Sequence, residues 1–208
     1  MITFFNYFVK ITGWLPATLI LRMKVKYEDK KVQSRRIKGK AILMSNHTSV
    51  YDYALLLFLF FFRTLRCLMA EVLYKKLLLR FFLKLMGGIY VNRDSYDFSF
   101  MDKCKKVLDK GGVVGIFPES RLPKKGEETP LAFKESITLL ALESGAPIIP
   151  IYTKGNYFTK FRTRVTIGTP INVRSYYDET KSQKENVKEI TLMLRNKIIE
   201  LGKKYEEI

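Results

Sequence analysis

A single histidine occurs in 208 residues, in the run Ser45-Asn46-His47-Thr48-Ser49-Val50-Tyr51-Asp52, with a carboxylate five positions downstream. Imidazole alone among side chains titrates near neutral pH without help from its surroundings. An aspartate that accepts its Nδ1 proton fixes the tautomer and leaves Nε2 free to take a proton from a hydroxyl. His47 and Asp52 are therefore the candidate general base and its orienting partner. Cysteine offers no rival chemistry. Cys67 and Cys104 lie far apart in a chain of ordinary domain size, which fits reduced thiols better than a disulfide framework. One histidine and no close cysteine pair supply too few ligands for a Cys/His zinc centre, so no metal is expected.

Five residues on an unbroken helix separate two side chains by about 140° of rotation, so His47 and Asp52 meet only across a bend. The flanking sequence provides one. Residues 40–45 read as a buried strand and the apolar run 53–62 as a helix, which puts His47 on the connecting turn and Asp52 in the first helical turn. Ser49 followed three residues later by Asp52 also resembles a capping box, a structural use of the same residues that is compatible with catalysis. Backbone amides of this turn are candidate donors to an oxyanion.

With 47% apolar residues and no Ser/Gly/Pro-rich linker, the chain reads as one domain. Lys and Arg number 37 against 20 Asp and Glu, and residues 1–40 hold ten of those cations against only Glu28 and Asp29. Such a surplus implies an anionic partner: nucleic acid, an anionic lipid surface, or an acidic or phosphorylated substrate.

Residues 2–21 are apolar and aromatic apart from Lys10, but Gly13 and Pro16 interrupt them, and a spanning helix needs about 20 unbroken residues. Two short interfacial helices are expected, with Phe, Tyr and Trp at headgroup level and the cations from Arg22 to Lys38 drawn to anionic lipid. Simple packing on the domain is the structural alternative. A signal peptide fits poorly, because no basic residue precedes the apolar run. Residues 1–38 are thus expected to form a basic, aromatic, interfacial helical segment ahead of an α/β domain over residues 39–208.

Downstream, strands are expected at 65–70, 89–93, 113–117, 148–152 and 164–168, and helices at 72–86, 95–110, 131–144 and 184–207. Alternation of this kind argues a mixed, largely parallel central sheet flanked by helices. The strand ends collect polar residues: His47, then Arg93, then Glu119 to Arg121. Sites gather at strand ends in such sheets, and Arg93 and Arg121 are suited to forked phosphate contact.

Four blocks, Asn46-His47-x4-Asp52, Gly88-Ile89-Tyr90-Val91-Asn92-Arg93, Phe117-Pro118-Glu119 and Pro147-Ile148-Ile149-Pro150-Ile151, resemble in content and order the glycerolipid acyltransferases of the PlsC, lysophosphatidic acid acyltransferase type. The resemblance covers about residues 40–155. It implies that His47 deprotonates a glycerol hydroxyl that attacks a fatty acyl thioester, with Asp52 orienting His47 and with Arg93, Glu119 and Arg121 holding a phosphorylated acceptor. It implies acyl-CoA or acyl carrier protein as co-substrate, no cofactor, and a peripheral place on the cytoplasmic face of the cell membrane. The third block departs from the family's usual Phe-Pro-Glu-Gly-Thr-Arg: Ser120 replaces the glycine and Arg121 comes one position early.

Two other classes compete. A serine hydrolase would use His47 and Asp52 with Ser45, Ser49 or Ser120, although no Gly-x-Ser-x-Gly elbow is present. A non-enzymatic basic protein would bind membrane or nucleic acid, but no helix-turn-helix, zinc-finger or RNP signature occurs, so no nucleic-acid partner is expected.

Overall fold

The computed structural model describes residues 1–92, 98–155 and 157–206. In chain order the helical hairpin α1 (Ile2–Thr12) and α2 (Trp14–Leu21) leads to β1 (Lys24–Tyr27), β2 (Ala41–Ser45), α3 (Asp52–Leu59) and β3 (Leu65–Ala70). Then come α4 (Leu77–Leu85), β4 (Ile89–Val91), α5 (Ser99–Asp109), β5 (Val113–Ile116) and α6 (Ser136–Ser144). The chain closes with β6 (Ile148–Lys154), β7 (Arg164–Ile167) and α7 (Gln183–Glu206). The sheet has seven strands in the order β1-β7-β6-β2-β5-β3-β4, parallel at every pairing except β6 with β7. This is the mixed, largely parallel sheet that the alternating pattern implied.

Period-two alternation divides the core. Leu43 and Cys67 face α3 and the N-terminal helices, while Ile42, Met44 and Ile116 face α5, α6 and α7. Strand β2 is buried throughout because it lies between β5 and β6, which is why its sequence is a continuous apolar run instead of an alternating one. The chain leaves β2 through α3 on one face and leaves the adjacent β5 through α6 on the other. Neighbouring parallel strands whose connections depart to opposite faces open a crevice at their carboxyl ends. His47 follows one of these strands and Phe117 to Ser120 follow the other.

The hairpin bends by 62° between α1 and α2, and among the described residues no single helix is long and apolar enough to cross a membrane. Two residues accommodate the bend. A side chain at Gly13 would meet the Val9 carbonyl at 2.7 Å and Phe58 at 3.0 Å, and Pro16 removes the N–H that would carry α1 onward. Helix α1 is amphipathic in the reverse sense. Asn6 and Lys10 are buried, whereas Phe4, Phe8 and Ile11 are exposed. Lys10 Nζ donates to the carbonyls of Phe60, Phe61 and Arg63 at 3.2, 3.0 and 2.6 Å, at the end of α3, where cations are favoured. Asn6 donates to the Met86 carbonyl at 2.9 Å.

Several boundaries differ from the sequence reading. Residues 22–38 are not helical: Lys24–Tyr27 pair with β7 as an edge strand, in keeping with the Lys/Val/Lys/Tyr alternation and the charge that edges carry. The helix expected from residue 72 is instead a 3₁₀ turn, Glu71–Tyr74, followed by α4, because Lys76 is extended. Helix α6 starts at Ser136 because the preceding segment is held as a loop. Arg195 of α7 donates to the carbonyls of Pro130 and Leu131, at 2.7 Å for the shortest of these bonds.

Candidate active site

The turn after β2 is fixed before any catalytic group is placed. The Asn46 side chain lies against β6, accepting from the Thr153 N–H at 2.7 Å and donating to the Thr153 carbonyl at 2.8 Å, so a side-chain amide prolongs the sheet ladder by one step. His47 then leaves the sheet. Its own N–H donates to Glu119 Oε1 at 2.8 Å, and the other carboxylate oxygen of Glu119 accepts from the Leu131 N–H at 2.7 Å. Glu119 therefore ties the β2 turn to the β5 turn and to the 118–135 loop. Burial raises the Glu119 carboxyl above the usual range, and the two N–H donors oppose that rise.

Asp52 is the first residue of α3 and is fully buried. Its Oδ2 accepts from His47 Nδ1 at 2.9 Å, from Thr48 N–H at 2.6 Å and from Ser49 N–H at 2.8 Å. Its Oδ1 accepts from the Thr48 hydroxyl at 3.1 Å and from the Tyr157 hydroxyl. With donors on every side the carboxylate is an acceptor, so the network assigns the proton to Nδ1 and the lone pair to Nε2. Ser49 does not cap α3 as the spacing suggested: Tyr51 is the N-cap, with no side-chain cap bond, and the Ser49 hydroxyl instead accepts from Tyr51 N–H at 3.3 Å. The turn amides of residues 47, 48 and 49 are all occupied by carboxylates, so they are not the oxyanion donors that the sequence reading considered.

The His47 imidazole stacks on Phe117, with ring centroids 4.5 Å apart and planes 20° apart. It faces a cavity of about 320 Å³. Tyr53, Leu68, Met69, Leu73 and Phe100 give this cavity an apolar interior, and Ser120, Arg121 and Lys134 give it polar lining. Volume and lining suit a hydrocarbon chain with a polar end.

The structure brings together His47, Asp52 and Glu119, and it sets Arg121 on the same cavity. Arg121 is already engaged by a fork on Glu127, at 2.7 and 2.8 Å, on an exposed surface. An acceptor phosphate would have to exchange with that carboxylate. Arg93 lies outside the described residues, although Val91, the last residue of β4, lines the cavity. Among the described residues no group of three His, Cys, Asp or Glu side chains converges to hold a metal ion. Cys67 and Cys104 are free and buried, and burial pushes the Cys104 thiol up to about 12.

Tyr157 joins the Asp52 network from far away in the chain. It stands 105 positions from Asp52, and no spacing rule connects them. Burial first, and then the adjacent Asp52 charge, raise its phenol well above the usual range, so it remains a donor. Among the serines, Ser45 is buried and donates to the Asn46 carbonyl at 3.1 Å, which removes it as a nucleophile. Ser120 lines the cavity and takes a left-handed backbone, φ 62°.

Comparison with known proteins bears on the family and the fold. The family model described as Acyltransferase matches residues 24–154. The chain is 31% identical over 183 residues to a 1-acyl-sn-glycerol-3-phosphate acyltransferase of Borreliella burgdorferi, covering 82% of this chain and 68% of that protein. The fold is similar to the crystal structure of the 1-acyl-sn-glycerophosphate acyltransferase PlsC from Thermotoga maritima, with a TM-score of 0.61 at 18% identity, over 97% of this chain and 95% of the other. A sheet whose switch point holds a His-x4-Asp pair, a family model spanning the strands that build it, and a relative above 30% identity lead to one conclusion: this chain belongs to the PlsC-type acyltransferase family.

Proposed function

We propose that this protein transfers a fatty acyl group from an acyl thioester to the free hydroxyl of 1-acyl-sn-glycerol-3-phosphate, giving phosphatidic acid. The observation that carries the reading is the His47–Asp52 pair, with Nδ1 held by a fully buried carboxylate and the ring turned to an apolar cavity. Nε2 takes the proton of the acceptor hydroxyl as its oxygen attacks the thioester carbonyl carbon. The tetrahedral adduct then collapses, the carbon–sulfur bond breaks, and the thiolate takes the proton back from the imidazolium. A positioned base of this kind contributes about 10²–10⁴-fold. The cavity would take the acyl chain, and Arg121, with Arg93 by family resemblance, would meet the phosphate. None of these steps calls on a cofactor.

The donor is acyl-CoA or acyl carrier protein, and the formal net charge of +17 favours the acidic carrier protein. The reversed amphipathicity of α1 supports a peripheral place on a membrane surface, and the proposed face is the cytoplasmic one. Its polar residues are used inward, and Phe4, Phe8, Ile11 and Trp14 are left outward, beside exposed Leu78 and Phe81 of α4. An acyl-transfer assay with a panel of lysophospholipids against both donors tests the reading. Transfer to the phosphate monoester acceptor well above transfer to lysophosphatidylcholine supports it. Release of free fatty acid with no dependence on acceptor would make the protein a hydrolase.

A further inference from the structure

The cavity at His47 is not the largest. A groove of about 930 Å³ runs between α2, β1, the loop at 34–36 and the end of α3, and it shares no lining residue with the His47 cavity. Its lining combines two chemistries. Trp14, Phe58, Phe61 and Phe62 supply aromatic walls, while Arg22, Arg35, Arg36 and Arg162 supply four guanidinium groups. No lining residue is acidic.

The four cations are not equivalent. Arg35 donates to the Leu59 carbonyl at 2.9 Å and to the Phe58 carbonyl at 3.3 Å, which fixes it as the cap of α3. Arg22 donates to the Lys160 carbonyl at 3.0 Å through one nitrogen, and Arg36 lies over the Phe62 ring at 5.6 Å. Cations gathered on aromatic walls without a lining carboxylate repel one another, and a bound anion relieves that repulsion. The planar fork of guanidinium matches phosphate. The lip is apolar: Trp14, Leu19, Phe62 and the neighbouring Phe161 are all exposed. A ligand that offers phosphate to the arginines and hydrocarbon to the aromatic walls satisfies both halves, and neither free phosphate nor a neutral lipid does.

We propose that this groove binds one anionic phospholipid of the membrane, with its phosphate at Arg22, Arg36 and Arg162 and its hydrocarbon against Trp14, Phe58 and Phe62, at a site separate from that of the reacting acceptor. It extends the membrane reading of the N-terminal hairpin from a general charge attraction to a defined site, and it does not depend on which acceptor is acylated.

Trp14 is the only tryptophan in the chain and lines the groove, so its emission reports on occupancy. The full chain is titrated with dihexanoyl phosphatidylglycerol kept below micelle formation, with dihexanoyl phosphatidylcholine and inorganic phosphate as comparisons. A saturable Trp14 response is expected, about tenfold or more tighter for the anionic lipid than for the neutral one, and weakening with salt. Arg36→Gln and Arg162→Gln, singly and together, should remove that preference. Transfer to acceptor dispersed in neutral detergent should be unchanged in both variants, which separates this site from the catalytic one. Equal affinity for the two lipids, or a preference that survives the double substitution, overturns the proposal. Displacement by inorganic phosphate at concentrations matching the lipid would make the groove a free-phosphate site and would overturn it too. The wild-type titration decides the question even if a variant fails to fold.

Discussion

At the scale of residues, Asp52 is the organising group, and its partners show what a sequence reveals. His47 and Ser49 lie within five positions and were legible from spacing, whereas Thr48, which gives Asp52 both its N–H and its hydroxyl, was not read as a partner. Tyr157 is brought in by β6 and the turn beyond it, and only the fold exposes it. A hydrogen bond to a charged group is worth about 1.5–3 kcal/mol, so Tyr157→Phe is expected to lower kcat about 10–100-fold while KM for the acceptor stays near wild type. Steady-state kinetics check this, and unchanged kcat would reduce Tyr157 to packing. Ser120 is the residue where the chain departs from its family, and the structure supplies a reason to examine it. Its φ of 62° is a conformation that glycine adopts without the Cβ penalty. Ser120→Gly should therefore retain transfer and raise the unfolding midpoint slightly, by up to about 1 kcal/mol of stability. Loss of activity with the fold intact would indicate a serine nucleophile and favour the hydrolase class.

At the scale of elements, period and length identified α3, β2, β3 and α7 closely, because burial leaves a plain record in the order of apolar residues. The elements that sequence misplaced are those set by distant partners. Strand β1 exists because β7 gives its edge a partner, and residues 131–135 are a loop because Glu119 and Arg195 hold the backbone of Pro130 and Leu131 and the Lys134 N–H donates to the Pro118 carbonyl. Helix α1 was legible as apolar, but not the inward use of Lys10. Burial pushes that ammonium down to about 8, and it still carries its proton at pH 7. Replacing it takes that donor from the Phe61 and Arg63 carbonyls, while the Phe60 carbonyl keeps the Arg63 N–H at 3.2 Å, at a cost of about 1–3 kcal/mol for a buried unsatisfied group. Lys10→Met is expected to lower the melting temperature by several degrees and to speed proteolysis within residues 1–21. Wild-type melting and protection would mean that the hairpin is held by its apolar contacts alone.

At the scale of the molecule, the C-terminal helix locks the N-terminal strand to the sheet through Glu28. That carboxylate accepts from Lys197 at 2.6 Å and from both the N–H and the hydroxyl of Thr169 at 2.9 Å. Burial alone would raise the Glu28 carboxyl, but the Lys197 ammonium and the Thr169 donors hold it at about 2. A carboxylate held below its ordinary value near 4.5 adds stability above that pH, and the contribution is lost as pH falls toward about 2. Glu28→Gln should destabilise the protein at pH 7 and flatten the acid limb of its stability curve, as read by urea unfolding across pH. An identical acid limb in the variant would move the linkage elsewhere. The whole chain converges on the carboxyl ends of β2 and β5, where the switch point presents His47 to the cavity in its proposed role as base. The most direct test of that role is acyl transfer by His47→Ala, with circular dichroism to confirm the fold. No other histidine can take over, so a folded variant is expected to lose at least about 10²-fold in kcat. A folded variant that keeps more than about a tenth of wild-type activity contradicts a general base at this position.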